Sequence, residues 1–283
     1  MTPAHSSQGA ALGLGPASIL LSLTRHWHLV RRMAWRDVQA RYRGSLLGGA
    51  WTVLVPLIML SVYTFVFGFV LEMKWGASMP GTGNRMESAL VLFSGLIWFW
   101  MFAEVITRAP GLVRENVNYV TKIVFPLHIL PWVAVLASLF NFTVSTAILL
   151  IGQVLIMGPP PPTALLAPLI VAPFVLLQVG LGWFLASFGM FVRDVGHVVA
   201  VGVQALMFLS PIFYPLEALP EEVRPYYYLN PLTFVVVQFR RILLQGEMPD
   251  WTGLGLYSLL AVAVAWLGLA WFLKTRKGFA DVI

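Results

Sequence analysis

A chain of 283 residues that is 59% hydrophobic and 11% charged, with a mean hydropathy of +0.81, has too little polar surface to cover a water-soluble globule. It has no cysteine, which excludes disulfide staples and thiolate metal sites. The formal net charge of +6 lies along the borders of apolar runs rather than on one folded face, which points to membrane topology and away from nucleic acid.

The first apolar stretch, LGLGPASILLSL, follows MTPAHSSQ, which carries no Lys or Arg, and precedes a basic cluster. That is the reverse of signal-peptide order, so no cleavage is expected. Next comes WRDVQARYRGSLLGGAW, residues 35–51, a basic segment running straight into an apolar wall. On a helical wheel Arg25, Arg32, Arg36, Gln39 and Arg43 share one face, with Leu23, Trp27, Val30, Ala34 and Val38 opposite. This describes an amphipathic interface helix, with its cations toward water and anionic headgroups and its apolar side in the acyl boundary. Arg41 falls among the apolar positions, so either it snorkels or the helix has ended there. The plainer alternative for Arg36, Arg41 and Arg43 is a positive-inside anchor.

Five apolar runs, over 48–71, 89–107, 128–157, 164–191 and 253–273, are long enough to cross a hydrocarbon core of about 30 Å. A shorter sixth, 198–213, ends at SPIFYP, where Pro211 and Pro215 forbid a regular helix. The fold class expected is an all-α membrane protein: six transmembrane helices, an N-terminal interface helix, and re-entrant helices between spans five and six. Residues 1–47 form the cytoplasmic segment and 48–283 the transmembrane domain. With the N-terminus inside, all but five of the 18 Lys and Arg (Lys74, Arg85, Arg224, Arg240 and Arg241) fall on the cytoplasmic side, which places both termini there.

Glu104 lies within the second run, where a carboxylate needs a cation, water or a proton. Arg108, four residues on, is its expected partner, with proton coupling as the alternative. Trp98, Trp100 and Phe102 sit mid-span, away from the usual interfacial belt, as do Tyr63 and Phe67 in the first run. Two readings stand for them, and for Phe213 and Tyr214 at SPIFYP. They line a channel in which aromatic faces let sugar rings slide, or they are ordinary packing and lipid-facing groups. Residues 212–244 hold four of the five prolines from Pro211 to Pro231 and an apolar tail too short for a span, the pattern of a re-entrant segment. Arg240 and Arg241 break the positive-inside pattern there and meet an acidic polymer, lipid phosphate or headgroups.

Four stretches carry a resemblance. WRDVQARYRGSLLGGAWTVLVPLIMLSVYTFVFGFV, ENVNYVTKIVFPLHILP, FVRDVGHV and SPIFYPLEALPEEVRPYYYLNPLTFVVVQFRRIL resemble, in order, the membrane subunits of ABC-2 type polysaccharide exporters, the family that moves capsular polysaccharide, O-antigen and teichoic acid chains. The resemblance implies a homodimer in the bacterial inner membrane. Each six-span subunit binds one copy of a separate ATPase, and a polysaccharide channel lies along the dimer axis. It also implies a cytoplasmic coupling helix over about 108–122, with Arg114, Glu115, Asn116, Tyr119 and Lys122 as polar contacts and Arg193 and Asp194 in support; an ordinary polar loop is the alternative. The chain has no GxxxxGK[ST] loop, so ATP and Mg are expected on the partner, with no cofactor or metal held here. Expected partners are that ATPase in two copies, lipid-linked polysaccharide, membrane lipids and a periplasmic export protein. Exporters of small lipids or drugs, or a membrane enzyme of glycan assembly, are the competing readings, the last lacking a convergent acid, base or metal set.

Overall fold

A computed structural model describes residues 15, 17–41, 43–70, 85–116 and 125–281, and among them there are helices and turns but no strand. Two short helices open the chain, α1 (Ala17–Thr24) and α2 (Trp27–Ala40). α3 (Trp51–Tyr63) continues as a π-helix over Thr64–Val70. The long helices α4 (Arg85–Arg108), α5 (Leu130–Ile156) and α6 (Ala167–Phe191) follow. Then come α7 (Val195–Phe208), the single turn α8 (Arg224–Tyr227), α9 (Pro231–Arg240) and α10 (Trp251–Thr275).

Five helical segments are long and apolar enough to cross a membrane, and they coincide with the five long runs of the sequence: Gly48–Phe67 (span 1), Met86–Gly111 (span 2), Leu127–Ile156 (span 3), Pro162–Phe191 (span 4) and Trp251–Phe279 (the last span). The sixth run differs. Its helix α7 covers 14 residues and stops at Phe208, three residues before Pro211. At 1.5 Å per residue it reaches only about 21 Å.

Span 2 is the hub, with 83% of its apolar window buried, whereas for span 1 the figure is 11%. Two helices of a bundle can approach only as closely as their side chains allow, and here α6 of span 4 and α10 of the last span meet at small residues. A Cβ on Gly180 would lie 2.6 Å from the Ala265 backbone, and one on Gly268 would strike the Gly180 carbonyl. The two helices therefore touch backbone to backbone.

The N-terminal helix α2 has Arg31, Arg32, Arg36 and Gln39 exposed and Val30, Met33, Ala34 and Val38 buried. Its apolar side, however, lies against span 3 within the subunit rather than in an acyl boundary. Trp27, on the apolar side of the wheel, is exposed, and Trp35 meets Phe140 of span 3 edge-on at 5.8 Å.

The segment after α7 is tied to the bundle by side chains that satisfy its irregular backbone. Asn230 accepts the Leu232 N–H at 2.9 Å, capping α9 with Pro231 at its first position. α9 then widens into a π-helix, Arg241–Gln245, which leaves carbonyls out of register. The Gln153 amide donates to the Leu243 carbonyl at 2.8 Å and the Thr163 hydroxyl to that of Ile242 at 2.6 Å. Tyr257 of the last span donates to the Pro231 carbonyl at 2.9 Å.

Candidate functional site

At the foot of the bundle, α2 is fixed to span 2 by four charges. Both helices carry an acid four residues before an arginine, Asp37 with Arg41 and Glu104 with Arg108. Because they cross in opposite directions, each acid meets the other helix's arginine. Arg108 donates to both Asp37 oxygens, at 2.7 and 3.0 Å, and Arg41 donates to Glu104, whose second oxygen accepts from the Asn141 amide at 3.2 Å. The expected Glu104–Arg108 pair is thus replaced by two cross-helix pairs, since a bidentate fork between helices outdoes a same-face contact along one. Arg41 breaks the basic stripe because its side of α2 faces the Glu104 carboxylate. Burial pushes the Asp37 carboxyl up, but the Arg108 hydrogen bond and the charges of Arg108, Arg41 and Arg36 outweigh it and hold it below its ordinary value.

A cleft of about 830 Å³ opens between α2, the start of span 1 and span 3, lined among others by Trp35, Arg36, Arg43, Gly48, Thr52 and Phe140. Two of the three arginines singled out in the sequence, Arg36 and Arg43, reach this cleft, and Arg41 lies beyond Thr52 in a second, smaller one.

The aromatic candidates divide. Trp100, Tyr63, Phe67 and Phe213 form one half-buried ladder, with ring centroids 6.4, 6.1 and 5.4 Å apart in that order, and Phe208 extends it at 5.9 Å. Trp98 and Phe102 do not join it. Trp98 is 0% exposed and sits edge-on to Phe142, Phe174 and Phe239 at 4.8, 5.1 and 5.2 Å. Phe102 is buried against Phe174 at 6.2 Å. Both are packing residues enclosed by the subunit, and neither has a face to offer a channel. Tyr214 donates to the Phe208 carbonyl at 2.6 Å and meets the Tyr227 hydroxyl at 3.1 Å, so it closes the turn after α7.

Arg240 also differs from expectation. It is 3% exposed, and its guanidinium is spent on backbone: the Pro211, Ile212 and Val91 carbonyls at 2.5, 3.0 and 3.1 Å, with the Ser94 hydroxyl at 3.2 Å. A side chain on Gly95 would fall 2.7 Å from the guanidinium, so the glycine makes its room. Arg240 staples the α9 segment to span 2 and is closed to an external polymer. Arg241 pairs with Glu247 at 3.0 Å and is partly exposed.

The cytoplasmic candidates converge in part. After α4, Ala109, Pro110, Leu112 and Val113 are buried, while Arg114 and Glu115 face out and Asn116 folds back, its amide donating to the Leu112 carbonyl at 2.8 Å. Pro110 lies directly on Gly189 of span 4, where any Cβ would strike its backbone. This seat brings Arg114 and Glu115 to the turn after span 4, and together with Arg193 and Asp194 they line a cleft of about 470 Å³. His197, which the sequence reading passed over, also lines it. Tyr119 and Lys122 lie outside the described residues.

Comparison with known proteins places this architecture. The chain is similar to the "O-antigen export system permease protein RfbA" of Myxococcus xanthus, 26% identical over 94% of this chain and 99% of that one. The Klebsiella pneumoniae protein of the same name is 24% identical over 88% of this chain and 92% of its own length. The "Polysialic acid transport protein KpsM" of Escherichia coli is 24% identical over 88% of this chain and 93% of its own. The family model described as ABC-2 type transporter matches residues 28–244, from α2 through the α9 segment, and the chain therefore belongs to the ABC-2 type transporter membrane family.

Proposed function

We propose that this chain is the permease subunit of an ATP-driven exporter of lipid-linked polysaccharide in the bacterial inner membrane. The observation that carries the reading is the cytoplasmic cleft, where two segments far apart in sequence, 108–116 and 193–197, present Arg114, Glu115, Arg193 and Asp194 together on a buried seat. A rigidly seated loop can pass on the movement of a soluble partner, which a free connector cannot. Relatives named for O-antigen export and polysialic acid transport, aligned over nearly the whole chain, supply the cargo class.

In this reading α7 and the α9 segment complete the transmembrane domain, as a sixth span followed by a re-entrant hairpin, and both termini are cytoplasmic. α2 is the interface helix, and its cleft at Arg36 and Arg43 receives the phosphate of the lipid carrier by charge-assisted hydrogen bonds. The Trp100–Tyr63–Phe67–Phe213 ladder gives the polymer a track of aromatic faces with few directional hydrogen bonds to trap it. Span 1, with so little of its apolar surface covered, supports a second copy of the chain as its neighbour. Two copies of a separate subunit hold ATP and Mg.

The test is reconstitution of the chain with its ATPase subunit in proteoliposomes carrying a lipid-linked glycan. ATP-dependent translocation is expected, and reversing Arg114 and Arg193 to glutamate should abolish ATPase association while leaving the chain folded. Hydrolysis of ATP by the homogeneous chain alone, or undiminished translocation by the double variant, would overturn the assignment.

A further inference from the structure

The second cleft at the foot of span 1 has a composition unlike the first. It encloses about 330 Å³ between spans 1, 2 and 3, near the lower end of the ~300–1,000 Å³ usual for small-molecule sites, and the two clefts share Thr52 as a common wall. One side is apolar, built from Val55, Pro56, Met59 and Ile97, with Trp100 beside them. The other gathers hydrogen-bonding groups: Glu104, Asn141, Thr52 and Ser145.

Two details of that polar side point to a ligand. The Glu104 carboxylate is held in place from two directions, by Arg41 and by the Asn141 amide nitrogen at 3.2 Å. That orientation leaves the Asn141 amide oxygen buried with no hydrogen-bond partner. A buried acceptor left unsatisfied is costly, so a hydrogen-bond donor brought to it is favoured. Trp100, meanwhile, is only half-buried and is propped by Tyr63 at 6.4 Å and, edge-on, by Phe93 at 5.8 Å.

We propose that this cleft binds one sugar unit, the one attached to the lipid phosphate, while the phosphate sits across Thr52 in the Arg36 and Arg43 cleft. A sugar ring matches both walls, since its hydroxyls supply the donor that Asn141 lacks and its C–H face lies on an indole. A lipid tail fits less well, because it leaves the Asn141 oxygen unsatisfied and gains nothing from the hydroxyls of Thr52 and Ser145. The inference rests on the exporter reading and adds to it a recognition site for the carrier-proximal end of the glycan, inside the subunit at the Trp100 end of the aromatic track.

The experiment uses the full chain with its ATPase subunit in lipid nanodiscs and two probes of equal charge and chain length, dodecyl glucosyl phosphodiester and dodecyl methyl phosphodiester. The glucosyl probe is expected to bind the wild type about tenfold more tightly. Asn141→Ala should bring the two affinities together by weakening the glucosyl probe alone. Trp100→Leu, which keeps apolar bulk but removes the indole face, should do the same and serves if the first variant does not fold. Arg36→Gln with Arg43→Gln should weaken both probes by one common factor. Equal affinities in the wild type, or a preference that survives both cleft variants, would overturn the sugar site and leave the phosphate site standing. Binding of neither probe would overturn both.

Discussion

Arg108 of span 2 donates two hydrogen bonds to Asp37 of α2, at 2.7 and 3.0 Å, and this fork ties to span 2 a basic helix whose apolar side already packs on span 3. Its partner contact, Arg41 to Glu104, lies one helical turn away. Both pairs are partly exposed, so each contributes modestly. Asp37→Ala should lower the unfolding midpoint in detergent by about 2–4 °C. The exchange Asp37→Arg with Arg108→Asp should recover most of that loss in a melting experiment, which a simple loss of packing would not permit.

The same carboxylate gives a pH signature. Its folded-state pKa lies below the unfolded value, so its contribution is fully present above the unfolded value of about 4 and is lost as pH falls through the depressed one. The difference in melting midpoint between wild type and Asp37→Asn should therefore stay constant from neutral pH down to about pH 5 and shrink below about pH 4. A difference that grew on acidification would contradict the pairing.

Trp98 and Trp100 are two residues apart and should behave oppositely. Trp98→Ala removes the centre of a ring cluster and should cost about 3–5 kcal/mol, visible as loss of folded protein in fluorescence-detected size-exclusion chromatography. Trp100→Ala should fold near normally and be defective in export per folded molecule.

Arg240 and Arg241 are adjacent and equally distinct. Arg240→Met strips hydrogen bonds from the carbonyls of Val91, Pro211 and Ile212 and should leave little folded protein. Arg241→Ala loses only a partly exposed pair with Glu247 and should melt like the wild type.

Gly189→Val should displace Pro110 without touching any charged residue of the cytoplasmic cleft. The expected result is retained ATPase binding with a several-fold fall in transport per ATP hydrolysed, measured together in proteoliposomes.

The five long spans were legible in the sequence because apolar length is a local property, and the boundaries agree within a few residues where a cap such as Asp250 starts the helix. The faces of span 2 were not, because a helix buried almost all round has no apolar stripe to read, and so Trp98 and Trp100 looked alike. Arg240 was misread for a related reason. Its partners are main-chain carbonyls as far as 149 residues away, and a carbonyl has no letter in a sequence. The cross-pairing of Asp37, Arg41, Glu104 and Arg108 did leave a trace, the repeated acid-x-x-x-Arg spacing on two segments, but only the opposed direction of the helices turns that repeat into two bridges.

Span 4 touches two segments that lie far apart along the bundle. Near its C-terminal end Gly189 carries Pro110 of the loop after α4, and at its N-terminal end Thr163 holds the Ile242 carbonyl of the α9 segment, while backbone contact with the last span at Gly180 and Gly268 stiffens the stretch between. Its 25-residue helix α6 is a rod of about 37 Å. Tilting such a rod by about 5° about its C-terminal end carries the other end about 3 Å, roughly the length of a hydrogen bond. A small tilt started at the Pro110 loop would thus reach the Ile242 carbonyl as a displacement comparable to the hydrogen bond that holds it.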